Sequence, residues 1–339
     1  MIMRRAAVGC LFMVVGLAGL RAQELKIAKL GTCELENKSV IRDCELGYRT
    51  FGTLNSSKSN AILFPTWAAG RSDQMVLFIG PGKFLDSSKY FIVVVDAFAN
   101  GVSSSPSNSR VQPRMQFPEI TIHDMVVAEH ELVTRELHLD HIFAVVGQSM
   151  GGMQTFDWMV SYPEFMDKAI PIVGSPKLAS YDLLLWQTEI DAIKTDSAWM
   201  NGDYKANPAV LAEARIGFLT MMTPAWINAN FAHGQIASSM LATAKEVDAN
   251  DHIRQAEAMI AQDVSKTTNG SMEAAAARVK AKVLVIVSKQ DHTVTPQPAL
   301  DFAKLLNAPT LELDSPCGHI ATYCEMGKVS AAISGFLAQ

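Results

Sequence analysis

The chain has no surplus of basic charge. Its 29 lysines and arginines stand against 34 aspartates and glutamates, a formal charge of −5, which excludes the electrostatic footprint of a nucleic-acid binder. No segment repeats at a fixed period, and no low-complexity linker divides the 339 residues, so a solenoid is excluded. No C-x-x-C pair occurs among the five cysteines, so the spacing of a structural zinc site is absent and no metal is expected. The Gly/Ser-rich stretch "GVSSSPSNS" (101–109) lacks the Lys-Ser/Thr of a phosphate-binding P-loop. It reads as a loop near the active-site face. Charged residues are scarce at 19%, whereas 49% of the chain is hydrophobic. That composition opposes disorder and suffices for one large core with an inserted subdomain.

Long apolar runs are also absent, with one exception. Residues 6–20, "AAVGCLFMVVGLAGL", follow Arg4 and Arg5 and precede "LRAQ", where Ala22 offers a small residue at a cleavage point. These are the three parts of a secretory signal peptide over residues 1–22. The run falls short of the roughly 20 residues of a spanning helix, so cleavage is expected, with no stable membrane anchor afterwards and a periplasmic or secreted destination. Cys10 lies too early in the run for a lipoprotein cysteine. Loss of Arg4, Arg5 and Arg21 moves the formal charge to −8. Four cysteines remain, Cys33, Cys44, Cys317 and Cys324. An even number in an oxidising compartment points to disulfides. Of three connectivities the local pairs Cys33–Cys44 and Cys317–Cys324 are expected, the alternative being free buried thiols.

Short apolar runs recur at 60–66, 90–97, 141–147, 168–173, 282–288 and 309–314, separated by helical stretches. Runs so apolar suit strands covered on both faces, as in a parallel sheet between helices. Residues 26–50 read as an antiparallel hairpin at the sheet edge. Residues 121–137 read as a helix, with Thr121 and Asp124 at capping-box spacing. The rhythm breaks between 175 and 269, where the pattern is helical only. The expected organisation is an α/β core over 23–174 and 270–339, with a helical cap over 175–269 above the carboxyl ends of the strands.

The chemistry gathers around "VVGQSMGGMQ". Gly147-Gln148-Ser149-Met150-Gly151 fits the G-x-S-x-G nucleophile elbow, placed between a strand-like "IFAVV" and a helix-like "GGMQTFDWMVSY". By itself the pattern arises by chance on the order of once in ten such chains, so the context decides. A serine nucleophile needs a base, and the base an orienting carboxylate. In this fold the order is Ser, acid, His. Asp291 follows the strand-like "KVLVIVS", and His319 lies in "SPCGHIA" after the last apolar run. Ser149, Asp291 and His319 are therefore the expected nucleophile, acid and base. His233 and His252 fall in the cap and read as ordinary polar positions, and His292 sits beside the acid. Two backbone N–H groups should stabilise the oxyanion. Met150 is one; Trp67 or Ala68, after "NAILFPT", supplies the other. The 17 methionines read as gap fillers.

"GQSMGGMQTFDW" resembles the elbow of the homoserine O-acetyltransferase family within the α/β-hydrolases. The likeness extends through "LGYRTFGTLN", "GPGKFLDSSKYFIVVVD", "DSAWMNGDY", "DANDHIRQAEAMIAQDV" and "SPCGHIATYCE", nearly the whole mature chain. The resemblance implies an α/β-hydrolase fold, acyl transfer through an acyl-serine, and the same triad. The chain also departs from the family. Ile320 stands where the family has an acidic residue after the histidine. "LLLWQTEIDAI" lacks the arginine that holds the acceptor's carboxylate, and "TWAAG" replaces His-Ala-Leu-Thr-Gly. These departures point away from an amino-acid acceptor and toward a serine hydrolase of the esterase kind, acting on a small-molecule ester or acyl substrate without a cofactor. An O-acyltransferase and a non-catalytic binding protein on the same fold are the alternatives. Oligomeric state stays open, a homodimer included.

Overall fold

A computed structural model describes residues 23–208, 210–232 and 234–339. The signal peptide expected over 1–22 and the polar role expected of His233 lie outside the described residues. Strands β1 (Lys26–Glu34) and β2 (Val40–Phe51) form the edge hairpin, paired antiparallel. Its turn closes where the Leu35 N–H donates to the Ser39 carbonyl at 3.0 Å. A disulfide joins Cys33 to Cys44 across the hairpin, with Cα atoms 5.8 Å apart.

The remaining strands are β3 (Ala61–Pro65), β4 (Phe91–Val95), β5 (Ile142–Gln148), β6 (Met166–Ile172), β7 (Lys282–Val283), β8 (Val285–Ser288) and β9 (Thr310–Leu313). The sheet runs β1-β2-β4-β3-β5-β6-β8-β9, with β7 beside β6. β2 meets β4 antiparallel, and every pairing from β4 to β9 is parallel. The apolar runs of the sequence become strands; β3, β4, β5, β6 and β8 are covered on both faces, whereas β9 at the sheet edge buries only Leu313. Ile62, Phe64, Ile92 and Val94 face one apolar layer, while Leu63, Val93 and Val95 face the other, the period of two that pleating imposes. At roughly 1.5–3 kcal/mol for each large side chain buried, these layers fix the register. The chain leaves β3 toward β4 on one side and β5 toward β6 on the other. This reversal opens a crevice at the carboxyl ends of β3 and β5, where ligands bind in open α/β sheets.

Helix α1 (Ile122–Glu131) starts at the expected cap. Thr121 Oγ1 accepts from the Asp124 N–H at 3.1 Å and Asp124 Oδ2 from the Thr121 N–H at 2.8 Å. A wider turn over Leu132–Glu136 continues it. α2 (Met150–Ser161) is buried along almost its whole length between sheet and neighbours. Within the stretch 175–269 the described residues form α3 (Ser180–Lys194), α4 (Leu211–Met221), α5 (Pro224–Asn230), α6 (Ile236–Glu246) and α7 (Ala249–Ile260), and none joins the sheet. α3 packs on α4 and α7, and α4 on α6. The chain closes through α8 (Met272–Arg278), α9 (Gln297–Leu305), α10 (Ala321–Cys324) and α11 (Met326–Leu337). No helix among the described residues is long and apolar enough to cross a membrane.

Candidate active site

The turn between β5 and α2 holds Ser149 at φ 58°, ψ −122°, a backbone conformation that a non-glycine residue adopts only when its surroundings enforce it. The enforcement is visible. The Ser149 N–H donates to the Ile172 carbonyl at 2.8 Å. A Cβ at Gly147 would lie 2.0 Å from the Gly151 carbonyl oxygen, and one at Gly152 would lie 2.8 Å from the Ile172 carbonyl oxygen. Only glycine lets strand and helix approach this closely.

His319 comes from the turn after β9. Gly318, at φ +67°, precedes it, and the Gly318 carbonyl accepts from Ser288 Oγ at 2.7 Å. A disulfide joins Cys317 to Cys324 around the histidine, with Cα atoms 6.6 Å apart. His319 Nε2 lies 2.9 Å from Ser149 Oγ, and His319 Nδ1 lies 2.6 Å from Asp291 Oδ2. Asp291 follows β8, and its other oxygen accepts from the N–H groups of Thr293 (2.8 Å) and Val294 (2.9 Å). The carboxylate cannot turn without breaking these bonds. Ser149, Asp291 and His319 expose only 8%, 3% and 5% of their surfaces, so their mutual hydrogen bonds face little competition from water. An imidazole that donates from Nδ1 to a carboxylate presents the Nε2 lone pair to the hydroxyl, the arrangement that removes a proton from serine.

Met150 opens α2, and its N–H has no intrahelical partner. The loop after β3 runs beside it. Thr66 is fixed by its N–H to the Val95 carbonyl (3.1 Å), its hydroxyl from the Ala97 N–H (3.0 Å), and its carbonyl from Gln154 Nε2 (3.2 Å). The Gly70 N–H closes a turn on the Trp67 carbonyl at 2.9 Å. The Ala69 N–H donates to Gln255 Oε1 at 2.6 Å. Among the described residues, the N–H groups of Trp67 and Ala68 have no protein acceptor.

Other residues depart from expectation or were not foreseen. His252 is not an ordinary polar position. It is largely enclosed, its side chain 12% exposed, with Nε2 3.1 Å from Glu189 and 3.7 Å from Glu213. Burial alone would lower its pKa, but the two carboxylates outweigh that and push it up to about 9. His252, Glu189 and Glu213 bring three potential ligand atoms within 4.8 Å of one another, and a proton on the imidazole accounts for that proximity. Asp182, fully buried at the start of α3, accepts from the Thr295 N–H (3.1 Å) and hydroxyl (3.0 Å). It ties α3 to the segment that holds Asp291. His292 is exposed and lies against Tyr181, with ring centroids 6.3 Å apart. The "GVSSSPSNS" loop turns its donors inward. Ser107 gives its N–H and hydroxyl to Asp251 at 2.9 and 2.5 Å, and Ser103 Oγ donates to the Asp96 carbonyl at 2.6 Å.

Comparison with known proteins agrees with this geometry. Residues 62–323 match the alpha/beta hydrolase fold family. A probable esterase of Corynebacterium glutamicum is 36% identical, covering 78% of this chain and 80% of that protein. The ethyl acetate hydrolase of Pseudomonas veronii is 34% identical over 88% of this chain and 90% of its own length. A homoserine O-acetyltransferase of Methanosalsum zhilinae is 31% identical, covering 90% of this chain and 70% of that enzyme. The crystal structure of the acetyl esterase MekB superposes with a TM-score of 0.89 at 31% identity, covering 94% of this chain and 98% of that one. Family match, relatives and sheet order converge: the chain is an enzyme that belongs to the α/β-hydrolase fold family.

Proposed function

We propose that the protein is an exported esterase that hydrolyses small acyl esters, acetyl esters foremost, through an acyl-Ser149 intermediate. The hydrogen-bonded chain Ser149–His319–Asp291, at 2.9 and 2.6 Å, carries this reading. Ser149 Oγ attacks the ester carbonyl as its proton passes to His319 Nε2. Asp291 holds the imidazole and stabilises the imidazolium. The Met150 N–H, with that of Ala68 or Trp67, takes the developing negative charge. Collapse expels the alcohol, which leaves with the proton from Nε2. Water then attacks the acyl-serine, gives its proton to Nε2, and releases the carboxylic acid while Ser149 regains its own proton. The helical stretch 175–269 serves as the cap that limits substrate size. The near-complete burial of Ser149 and the ethyl acetate and acetyl esters named for two relatives favour a short acyl group. The apolar leader and the two disulfides favour a periplasmic or secreted location.

Water is the acceptor in this reading because the two positions that carry charge for an amino-acid acceptor in the homoserine O-acetyltransferase family are changed. Ile320 follows the histidine, and α3 carries no arginine. Transfer to a neutral alcohol is the second reading, favoured by the likeness to homoserine O-acetyltransferases. Turnover of an aryl acetate with and without added alcohols separates the two. Free acetate as the sole acyl product supports hydrolysis, and an acetylated alcohol exceeding its share of solvent supports transfer. A fluorophosphonate probe that fails to label Ser149 in the folded protein would refute both.

A further inference from the structure

We infer that Gln255 is a positioning residue for the oxyanion loop, acting through the backbone of Ala69. Its side chain sits on α7, 186 residues along the chain from that loop, and is 2% exposed. A buried amide must find partners for both ends, and Gln255 does so on two core loops. Its Oε1 accepts from the Ala69 N–H at 2.6 Å, and its Nε2 donates to the Phe98 carbonyl at 2.9 Å. Ala69 lies at φ +57°, the left-handed region that an alanine occupies only under constraint. The Ala69 N–H belongs to the peptide unit that joins it to Ala68. Fixing that N–H therefore fixes ψ of Ala68 and the direction of the unpaired N–H groups just before it. The rest of the turn is held from within the core, by the Gly70 N–H on the Trp67 carbonyl and by Asn100 Nδ2 on the Gly70 carbonyl at 2.9 Å. Gln255 is thus the hydrogen bond by which the inserted helices set the oxyanion loop. Seating of α7 and assembly of the site become one event. This inference rests on the proposed Ser149 mechanism.

Two variants test it against an aryl acetate, with Ser149→Ala as the reference for the mechanism itself. Gln255→Leu removes both hydrogen bonds at similar volume. Because a misaimed oxyanion donor acts in the transition state, kcat should fall by about 10–100-fold while KM stays within about threefold. Gln255→Glu adds a readout that packing damage would not produce. Its protonated carboxyl can accept from Ala69 and donate to Phe98, as the amide does, whereas its carboxylate is repelled by the Phe98 carbonyl. The ratio of its kcat to that of the wild type should rise as pH falls from about 8 to about 6, since burial raises a carboxyl pKa. A Gln255→Leu enzyme with wild-type kcat, or a Gln255→Glu ratio independent of pH, would overturn the positioning role. If Gln255→Leu fails to fold, the Gln255→Glu profile decides alone. Retained turnover in Ser149→Ala would instead overturn the mechanism beneath it.

Discussion

Replacing Asp291 by asparagine preserves side-chain shape and alters one interaction at the centre of the site. One oxygen would still accept from the N–H groups of Thr293 and Val294, so the new NH₂ would face His319 Nδ1. Two donors cannot bond. The imidazole would carry its proton on Nε2 instead, leaving no lone pair toward Ser149 Oγ, 2.9 Å away. The charge that stabilises the imidazolium is also lost. At the observed separation of 2.6 Å and an effective dielectric constant near 20, that attraction is about 6 kcal/mol. Converted to a rate, this is about 10⁴ in kcat. The assay is steady-state hydrolysis of an aryl acetate by Asp291→Asn and wild type, with far-UV circular dichroism to verify folding. A kcat within about tenfold of wild type would refute the assignment of Asp291 as the orienting acid.

Two further outcomes follow from the same geometry. Gly152→Ala would set a Cβ 2.8 Å from the Ile172 carbonyl oxygen and 3.1 Å from Gly174 Cα; both neighbours are backbone, so thermal unfolding should show a loss of about 1–3 kcal/mol, and an unchanged Tm would contradict the close packing. His252, held at about 9 against 6.5 when unfolded, contributes stability that is fully present below about pH 6.5 and disappears as pH rises through about 9. At about 1.4 kcal/mol per pH unit that contribution is ~3 kcal/mol. Urea unfolding across this window should show the decline, and Glu213→Gln should shift it to lower pH. A decline identical in wild type and variant would refute this ion pair.

What sequence pattern revealed, and what it hid, divides along physical lines. The central strands were legible because they are short apolar runs covered on both faces, so burial and pattern agree. Asp291 and His319 were legible because the fold places them just after their strands, where position along the chain stands in for position in space. The edge hairpin with Cys33 and Cys44 was legible for the same local reason. The helical character of the inserted stretch was legible too, and α3, α4 and α7 fall in it; the contacts its helices make were not. Their partners are distant in sequence: His252 meets Glu189 and Glu213 on α3 and α4, Asp182 meets Thr295, and Gln255 reaches Ala69. None of these pairings follows a helical or strand period, so a polar residue destined for burial looks like one destined for solvent. The short α5, capped by Thr223 with Pro224 in its first turn, also lacks the length that periodicity needs.

The most direct test of the account is to look for the acyl group on Ser149. Enzyme quenched during turnover of an aryl acetate should yield a peptide containing Ser149 that is heavier by one acetyl group, with a burst of aryl alcohol equal to the enzyme present. Ser149→Ala should abolish both the adduct and the burst. Sustained hydrolysis by Ser149→Ala, or an acetyl group found on another residue while Ser149 stays unmodified, would contradict it.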